Sequence, residues 1–265
     1  MSLRGPVRTV RMERATITNI NGEFVEGPRV LVTTLAFNVD GTRLVKANYH
    51  ENGSLANRIV ESYEPDGRLL EAQVYDSFGV LTSRLVNTYD NNKLLIEQVT
   101  FRGDRSMSSR TVKQRQGDQL QTEVTLYDPH GGVDRMSKSN VTVVGQRTPG
   151  EDRRERRMES LSYSAQGTTR SQGSIISNSD GSQEFKQERS DGTQRRTVNI
   201  AIGKNGNDFV TYNPDGTILS RERRVSEFDA NGSLVKTTLS VAKGDSQTFE
   251  PSQVTYWTVA YFSKD

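Results

Sequence analysis

The sequence predicts an all-β protein built as one long antiparallel meander of tandem β-hairpins. In the first half of the chain, glycines follow aromatic residues by four positions, and these aromatics are spaced alternately by 12 and 14 residues. Asp-Gly and Asn-Gly at these sites favour the positive φ of tight hairpin turns. The intervening segments alternate Val, Leu, Ile or Thr with polar residues, as strands do. The pattern predicts two strands in each 26-residue repeat, 12 plus 14.

The repeat units begin at an aromatic residue, or at arginine in one unit. They read Phe37-NVDG, Tyr49-HENG, Tyr63-EPDG, Tyr75-DSFG, Tyr89-DNNK, Phe101-RGDR, Arg115-QGDQ and Tyr127-DPHG. The motif returns at Tyr212-NPDG and Phe228-DANG, which predicts a meander to the end of the chain.

We therefore expect one continuous domain over 1–265, as either a curved, part-open single sheet or a large barrel-like sheet. An irregular hinge is predicted at 145–157, where Pro149-Gly150 marks a turn. It separates the regular repeats, about 30–144, from a less regular region, 158–265.

Charged side chains recur with the same period. Arg84 and Arg110 are 26 residues apart, as are Glu71 and Glu97. If Tyr75 pairs with Val80 across its turn, Glu71 lies opposite Arg84, and by the period Glu97 lies opposite Arg110. The sequence thus predicts cross-strand ion pairs, which form either a solvated ladder or a charged groove.

The same register predicts that one face of the sheet is more apolar than the other. That face would form a core or a ligand-facing wall from Leu55, Ile59, Leu70, Leu81 and Leu85. The other face carries both polar and apolar side chains. Near the C-terminus, residues 254–262 are apolar on both alternating faces, which predicts a strand buried on both sides or an oligomer contact. The candidate contact residues there are Tyr256, Trp257 and Tyr261.

Composition limits the possible classes of protein. Hydrophobic residues make up 32% of the chain and glycines 22 of 265 residues, together about 40%, below the roughly 45–50% of globular domains. A thin core is expected. The 35 basic and 33 acidic residues nearly balance, so nucleic acid is an unfavoured partner. No cysteine is present, which excludes disulfides and thiolate metal sites. The longest apolar run is far shorter than the roughly 20 residues of a transmembrane helix.

No reactive constellation stands out in the sequence. Both histidines, His50 and His130, fall in predicted turns, and no Gly-x-Ser-x-Gly elbow occurs. The turn aspartates have a local role in bonding their own backbone. We expect no catalytic residues, no cofactor and no metal, and hence no enzyme.

The segments Tyr63-Glu-Pro-Asp-Gly-Arg-Leu, Tyr75-Asp-Ser-Phe-Gly-Val-Leu and Tyr212-Asn-Pro-Asp-Gly-Thr-Ile resemble the Tyr-Asp repeats of the bacterial YD/RHS superfamily, and also MORN-type repeats. The resemblance covers about 37–133 and 212–234. Its 12- and 14-residue spacing is shorter than the YD unit. It implies a β-sheet scaffold or shell that displays or encloses something else, with no catalytic residues to carry over.

These observations favour a non-catalytic β-repeat scaffold or binding module that acts through a protein or surface-glycan partner. The alternative is a barrel-type carrier of an apolar or lipid-like ligand. The Met1-Ser2-Leu3 start lacks a signal-peptide pattern but is compatible with a signal peptide having been removed, so it leaves export open. Among locations, a secreted, periplasmic or cell-surface one is favoured.

Overall fold

The structure is a computed structural model that describes residues 6–40, 42–117, 119–144, 154–164, 167–177, 182–189, 194–202, 205–242, 246 and 248–262. Within these ranges the chain forms β-strands joined by turns and contains no helix.

The strands of the first half are β1 Val7–Ile20, β2 Glu23–Glu26, β3 Val30–Phe37, β4 Arg43–Tyr49, β5 Leu55–Tyr63, β6 Leu69–Asp76, β7 Leu81–Tyr89, β8 Leu95–Arg102, β9 Met107–Gln116 and β10 Gln119–Tyr127. Those of the second half are β11 Val133–Val144, β12 Arg154–Ser164, β13 Gly167–Ser177, β14 Gln183–Arg189, β15 Gln194–Ile202, β16 Gly206–Tyr212, β17 Ile218–Phe228, β18 Leu234–Ala242 and β19 Glu250–Tyr261.

Successive strands from β3 to β19 pair antiparallel, so the predicted all-β antiparallel meander is confirmed. β1 pairs with β19 along one edge, where Val10 lies opposite Val259. Along its other edge β1 pairs with β3, where Val10 lies opposite Leu35. The two ends of the meander therefore meet at β1. The four-residue β2 forms a hairpin with the end of β1, with Ile17 opposite Glu26.

The repeat motif forms a tight turn, and hydrogen bonds of the motif's own residues close it. In the turn between β6 and β7, Asp76 N donates to Val80 O at 3.0 Å and Gly79 N donates to Asp76 O at 3.1 Å. Gly79 has a φ of +83°, which only glycine adopts at little cost. The carboxylate of Asp76 accepts hydrogen bonds from the amides of Phe78 and Val80. The motif residues are thus used by the turn itself.

A β-bulge follows this turn. Tyr75 pairs with Leu81 and Val74 with Ser83, which leaves Thr82 unpaired. The predicted Tyr75–Val80 pairing is therefore wrong, because Asp76 and Val80 close the turn, one residue nearer its tip, and the following strand then gains an extra residue, Thr82. The same register shift accompanies the pairs Tyr49–Leu55, Tyr63–Leu69, Tyr89–Leu95, Phe101–Met107, Tyr127–Val133, Tyr212–Ile218 and Phe228–Leu234.

The core is thin, as the composition predicts. The accessible surface is 17273 Å², whereas a compact protein of 29.7 kDa exposes about 11,600 Å². Among the described residues, the buried apolar side chains are Val7, Val10, Ala15, Ile176, Val210, Ala242 and Val254. Three of these belong to β1, the strand at which the meander's ends meet. Most other strand residues are half-exposed on both faces, as in a single layer of sheet.

The predicted hinge at 145–157 lies largely outside the described residues. Its last four residues, 154–157, begin β12, which pairs antiparallel with β11: Val144 lies opposite Glu155 and Arg135 opposite Ser164. The sheet thus continues from one strand to the other.

Candidate functional site

Strand pairing sorts the side chains into two faces of the sheet. One face, here named the charged face, carries Glu71, Arg84, Glu97, Arg110 and, further along, Glu123 with Lys138. The opposite face carries apolar residues of β5 to β7, among them Ile59, Ala72, Val74 and Leu85. The alternation of side chains along each strand creates this division.

The structure brings both expected ion pairs together on the charged face. The Arg84 guanidinium contacts Glu71 through two hydrogen bonds of 2.9 Å, Nε to Oε1 and Nη2 to Oε2. Arg110 Nε lies 2.7 Å from Glu97 Oε1. The predicted direct opposition is wrong, because Val86 is the residue opposite Glu71 and Arg84 lies diagonally from it. The turn closure and the bulge each move the register by one residue, two in all, which keeps Glu71 and Arg84 on the same face and within reach of each other.

These pairs affect the ionisation of their members. The hydrogen bonds from Arg84 lower the pKa of Glu71. The hydrogen bond to Glu97 raises the pKa of Arg110. Both effects favour the charged forms at neutral pH, since a bound opposite charge stabilises each ion.

The row of cross-strand ion pairs, here named the ladder, continues along the sheet. All cross-strand ion pairs between described strand side chains lie on the charged face: Glu71–Arg84, Glu97–Arg110, Glu123–Lys138, Glu184–Arg196, Asp208–Arg223 and Glu227–Lys236. On the opposite face, Arg224 contacts Glu222 of its own strand at 3.2 Å. Each cross-strand pair is neutral, so this face presents alternating charge rather than one sign.

The five residues predicted to line one apolar wall lie on both faces. Ile59 and Leu85 are on the opposite face. Leu70 is the extra residue of a bulge in β6 and lies between the paired residues Leu69 and Glu71. Leu55 and Leu81 pair with Tyr49 and Tyr75, whose side chains point to the charged face. The single-wall prediction is therefore wrong, because each bulge inserts one residue and changes the alternation next to the turn. All five side chains are half-exposed.

The C-terminal aromatic residues make contacts within the chain. The hydroxyl of Tyr256 donates to Glu26 Oε2 at 2.7 Å, and the Arg29 guanidinium lies 3.6 Å from the centre of the Tyr256 ring. The hydroxyl of Tyr261 donates to Ser233 Oγ at 2.8 Å. Trp257 pairs with Met12 of β1. Since β19 pairs with β18 and β1, both of its edges are occupied, and of its apolar residues only Val254 is buried.

A shallow depression of about 300 Å³ lies on the charged face between β9 and β10. It is lined by Arg110, Val112, Gln114, Gln121 and Glu123. Gln114 lies directly opposite Gln121, and Val112 lies opposite Glu123. Both glutamine side chains are exposed, and neither side chain forms a hydrogen bond with another described residue.

The depression occurs where the repeat changes. Arg115 replaces the aromatic residue of the motif, and Gln116 pairs with Gln119 across the turn. Pairing then runs from Gln119 to Leu126 without a bulge. Side chains therefore keep alternating between the two faces of the sheet up to the turn, which places the Gln114–Gln121 pair on the charged face.

Sequence reasoning missed these two glutamines as candidates for a site. In the preceding unit, the residue corresponding to Gln121 is Leu95, 26 positions earlier, and it pairs with Tyr89 instead. The sequence feature that could have identified them is Arg115 at the position where other units have an aromatic residue, because it marks a turn unlike those of the other units.

Three further features of the described part of the chain concern metal binding, membrane crossing and a turn carboxyl group. No group of three His, Cys, Asp or Glu residues there is arranged to hold a metal ion. Within the same residues, no helix is long and apolar enough to cross a membrane. In the turn between β5 and β6, Arg68 and Lys93 lower the pKa of Asp66 to about 2, which holds this carboxyl group ionised at neutral pH.

No family model and no curated protein matches the chain. Among solved structures, a porin-like protein from Bacteroides uniformis ATCC 8492 aligns with 97% of this chain and 99% of its own, at 8% identity and a TM-score of 0.41. TcdB2-TccC3 without its hypervariable C-terminal region aligns with 97% of this chain at 12% identity and a TM-score of 0.25. The TcdB2-TccC3-Cdc42 structure aligns with 90% of it at 12% identity and a TM-score of 0.17.

This chain spans 18% and 20% of the two TcdB2-TccC3 chains. All of these similarities are too low to support an argument about function.

Proposed function

We propose that this chain is an exported, non-catalytic β-repeat scaffold that binds a protein or a glycan through its charged face. The observation that supports this most is the ladder of cross-strand ion pairs, which gives one face of a thin sheet a regular pattern of alternating charge. Surface ion pairs of this kind contribute little to stability, about 0–1 kcal/mol each. Their concentration on one face is therefore better explained by recognition than by folding.

The ionisation of the described carboxyl groups also supports a binding role. Among the acidic groups with a shifted pKa, Glu71, Asp66 and Asp128 are examples in which an arginine, a lysine or turn amides lower the pKa. A general acid near neutral pH needs a raised pKa instead. These carboxylates suit ion pairing and hydrogen bonding.

The repeat architecture is consistent with the bacterial YD/RHS-like class suggested by the Tyr-Asp motifs, in which β-repeats form scaffolds or shells. Export follows from that class. The carrier alternative is less favoured, because Leu55 and Leu81 lie on the other face from Ile59 and Leu85, so these residues form no continuous apolar wall.

Charge reversal within ion pairs tests the proposal while keeping each pair intact. The variant carries Glu71→Arg with Arg84→Glu and Glu227→Lys with Lys236→Glu, all on the charged face and outside the depression. The control carries Glu222→Arg with Arg224→Glu on the opposite face. Labelled proteins are compared on a glycan array and by affinity capture with mass spectrometry.

We expect partners of the wild type to be lost by the charged-face variant and retained by the control. Circular dichroism and thermal melting should show that both variants fold. Equal binding by wild type and charged-face variant, equal loss in both variants, or no partner for the wild type would contradict the proposal.

A further inference from the structure

The glutamine pair in the depression between β9 and β10 offers polar groups that the fold does not use. Gln114 and Gln121 face each other across the strands, and Asn140 of β11 lies opposite Gln121 on its other side. The three amides thus form a row over three adjacent strands, and all three side chains are exposed. An amide both donates and accepts hydrogen bonds, as a sugar hydroxyl does.

The charged groups around the depression are already neutralised. Arg110 Nε lies 2.7 Å from Glu97, and Lys138 Nζ lies 2.9 Å from Glu123. Two cations and two carboxylates leave no net charge to attract an ion. A ligand that fits this site therefore needs hydrogen-bonding groups but no charge.

The size and shape of the depression limit the ligand further. Its volume, about 300 Å³, is at the lower end of the roughly 300–1,000 Å³ of small-molecule sites. Val112 supplies an apolar patch among polar groups. Sugar rings combine apolar C–H patches with hydroxyl groups in this way, and one ring fits the available space.

We infer that this depression is a subsite for one neutral sugar unit of a glycan chain, with Gln114 and Gln121 as its main hydrogen-bonding residues. The row of amides toward Asn140 provides contacts for the next unit. This inference rests on the proposed function, since it specifies a glycan as the partner of the charged face.

NMR of the ¹⁵N-labelled full chain tests the inference, because glutamine side-chain amides give their own signals. The probes are cellotriose, maltotriose and N,N′-diacetylchitobiose, with trigalacturonic acid as an acidic comparison. We expect saturable shifts of the Gln114 and Gln121 side-chain amides with at least one neutral probe, at a Kd of ~1 mM as befits a small open site.

The double variant Gln114→Ala with Gln121→Ala should weaken this binding at least tenfold. The matched control is Lys113→Ala with Thr122→Ala, a directly paired couple on the opposite face of the same two strands, which should bind as the wild type does. Absence of shifts with every neutral probe, binding of the acidic probe alone, or equal loss in the control would overturn the inference.

The two proposals can fail separately. If the charge-reversal variant loses its partner while no neutral sugar binds, the subsite is wrong and the scaffold function stands. If the sugar binds and charge reversal changes nothing, the subsite stands and the recognition role of the ladder is wrong.

Discussion

Arg105 occupies a turn position where glycine is the usual residue of the repeat. Its φ is +71°, close to the +83° of Gly79 and the +84° of Gly67 in equivalent turns. A residue with a Cβ atom is strained in this region, by about 1–2 kcal/mol. Lys93, with a φ of +65°, tolerates the same strain in the turn between β7 and β8. The repeat therefore preserves the backbone conformation of its turns even where glycine is absent.

The substitution Arg105→Gly should stabilise the protein, because glycine adopts this conformation without strain. The expected gain in the free energy of unfolding is about 0.5–1 kcal/mol, after glycine's larger loss of backbone entropy is subtracted. Chemical denaturation measures it. The reverse change, Gly79→Ala, should destabilise by a similar amount, although a Cβ there meets no atom within 4 Å. Equal stability of all three proteins would contradict the strain argument.

At the scale of the elements, the sequence predicts turns and faces better than exact pairing. Asp-Gly turns and alternating strands can be read from residue types, because each has a local physical cause. The bulge at Thr82 cannot, since it depends on which backbone groups pair across two strands. The predicted apolar wall failed for Leu55 and Leu81 for this reason. The ion pairs formed regardless, because Arg84 and Arg110 reach diagonal partners.

The diagonal Glu71–Arg84 pair should contribute a small, salt-sensitive coupling energy. A double-mutant cycle with Glu71→Gln and Arg84→Gln is expected to give about 0.2–1 kcal/mol, because the Arg84 side chain is 45% exposed and water screens the interaction. The coupling should fall in ~1 M salt, where the Debye length is about 3 Å. A cycle of Arg84→Gln with Glu97→Gln serves as the control, since Glu97 pairs with Arg110 instead. Coupling unchanged by salt, or equal in both cycles, would contradict the assignment.

At the scale of the whole molecule, β1 organises the fold. It pairs with both β3 and β19, and Val10 and Ala15 are among its buried residues, with 2% and 1% exposure. Without β1, the outer edges of β3 and β19 would present unpaired backbone groups, which promote aggregation. The sequence did not predict this role, because β1 lies before the first repeat unit at Phe37 and carries no repeat motif.

Disulfide cross-linking tests most directly whether the meander's ends meet at β1, because the natural chain has no cysteine. Val10→Cys is combined with Val259→Cys in one variant and with Leu35→Cys in another, the directly opposite residues of β19 and β3. Val10→Cys with Val254→Cys is the control, since Val254 pairs with Ala15 on the other face. We predict that both directly paired variants form intramolecular disulfides under mild oxidation and that the control does not. A disulfide in only one of the two paired variants, or cross-links only between molecules, would contradict the account.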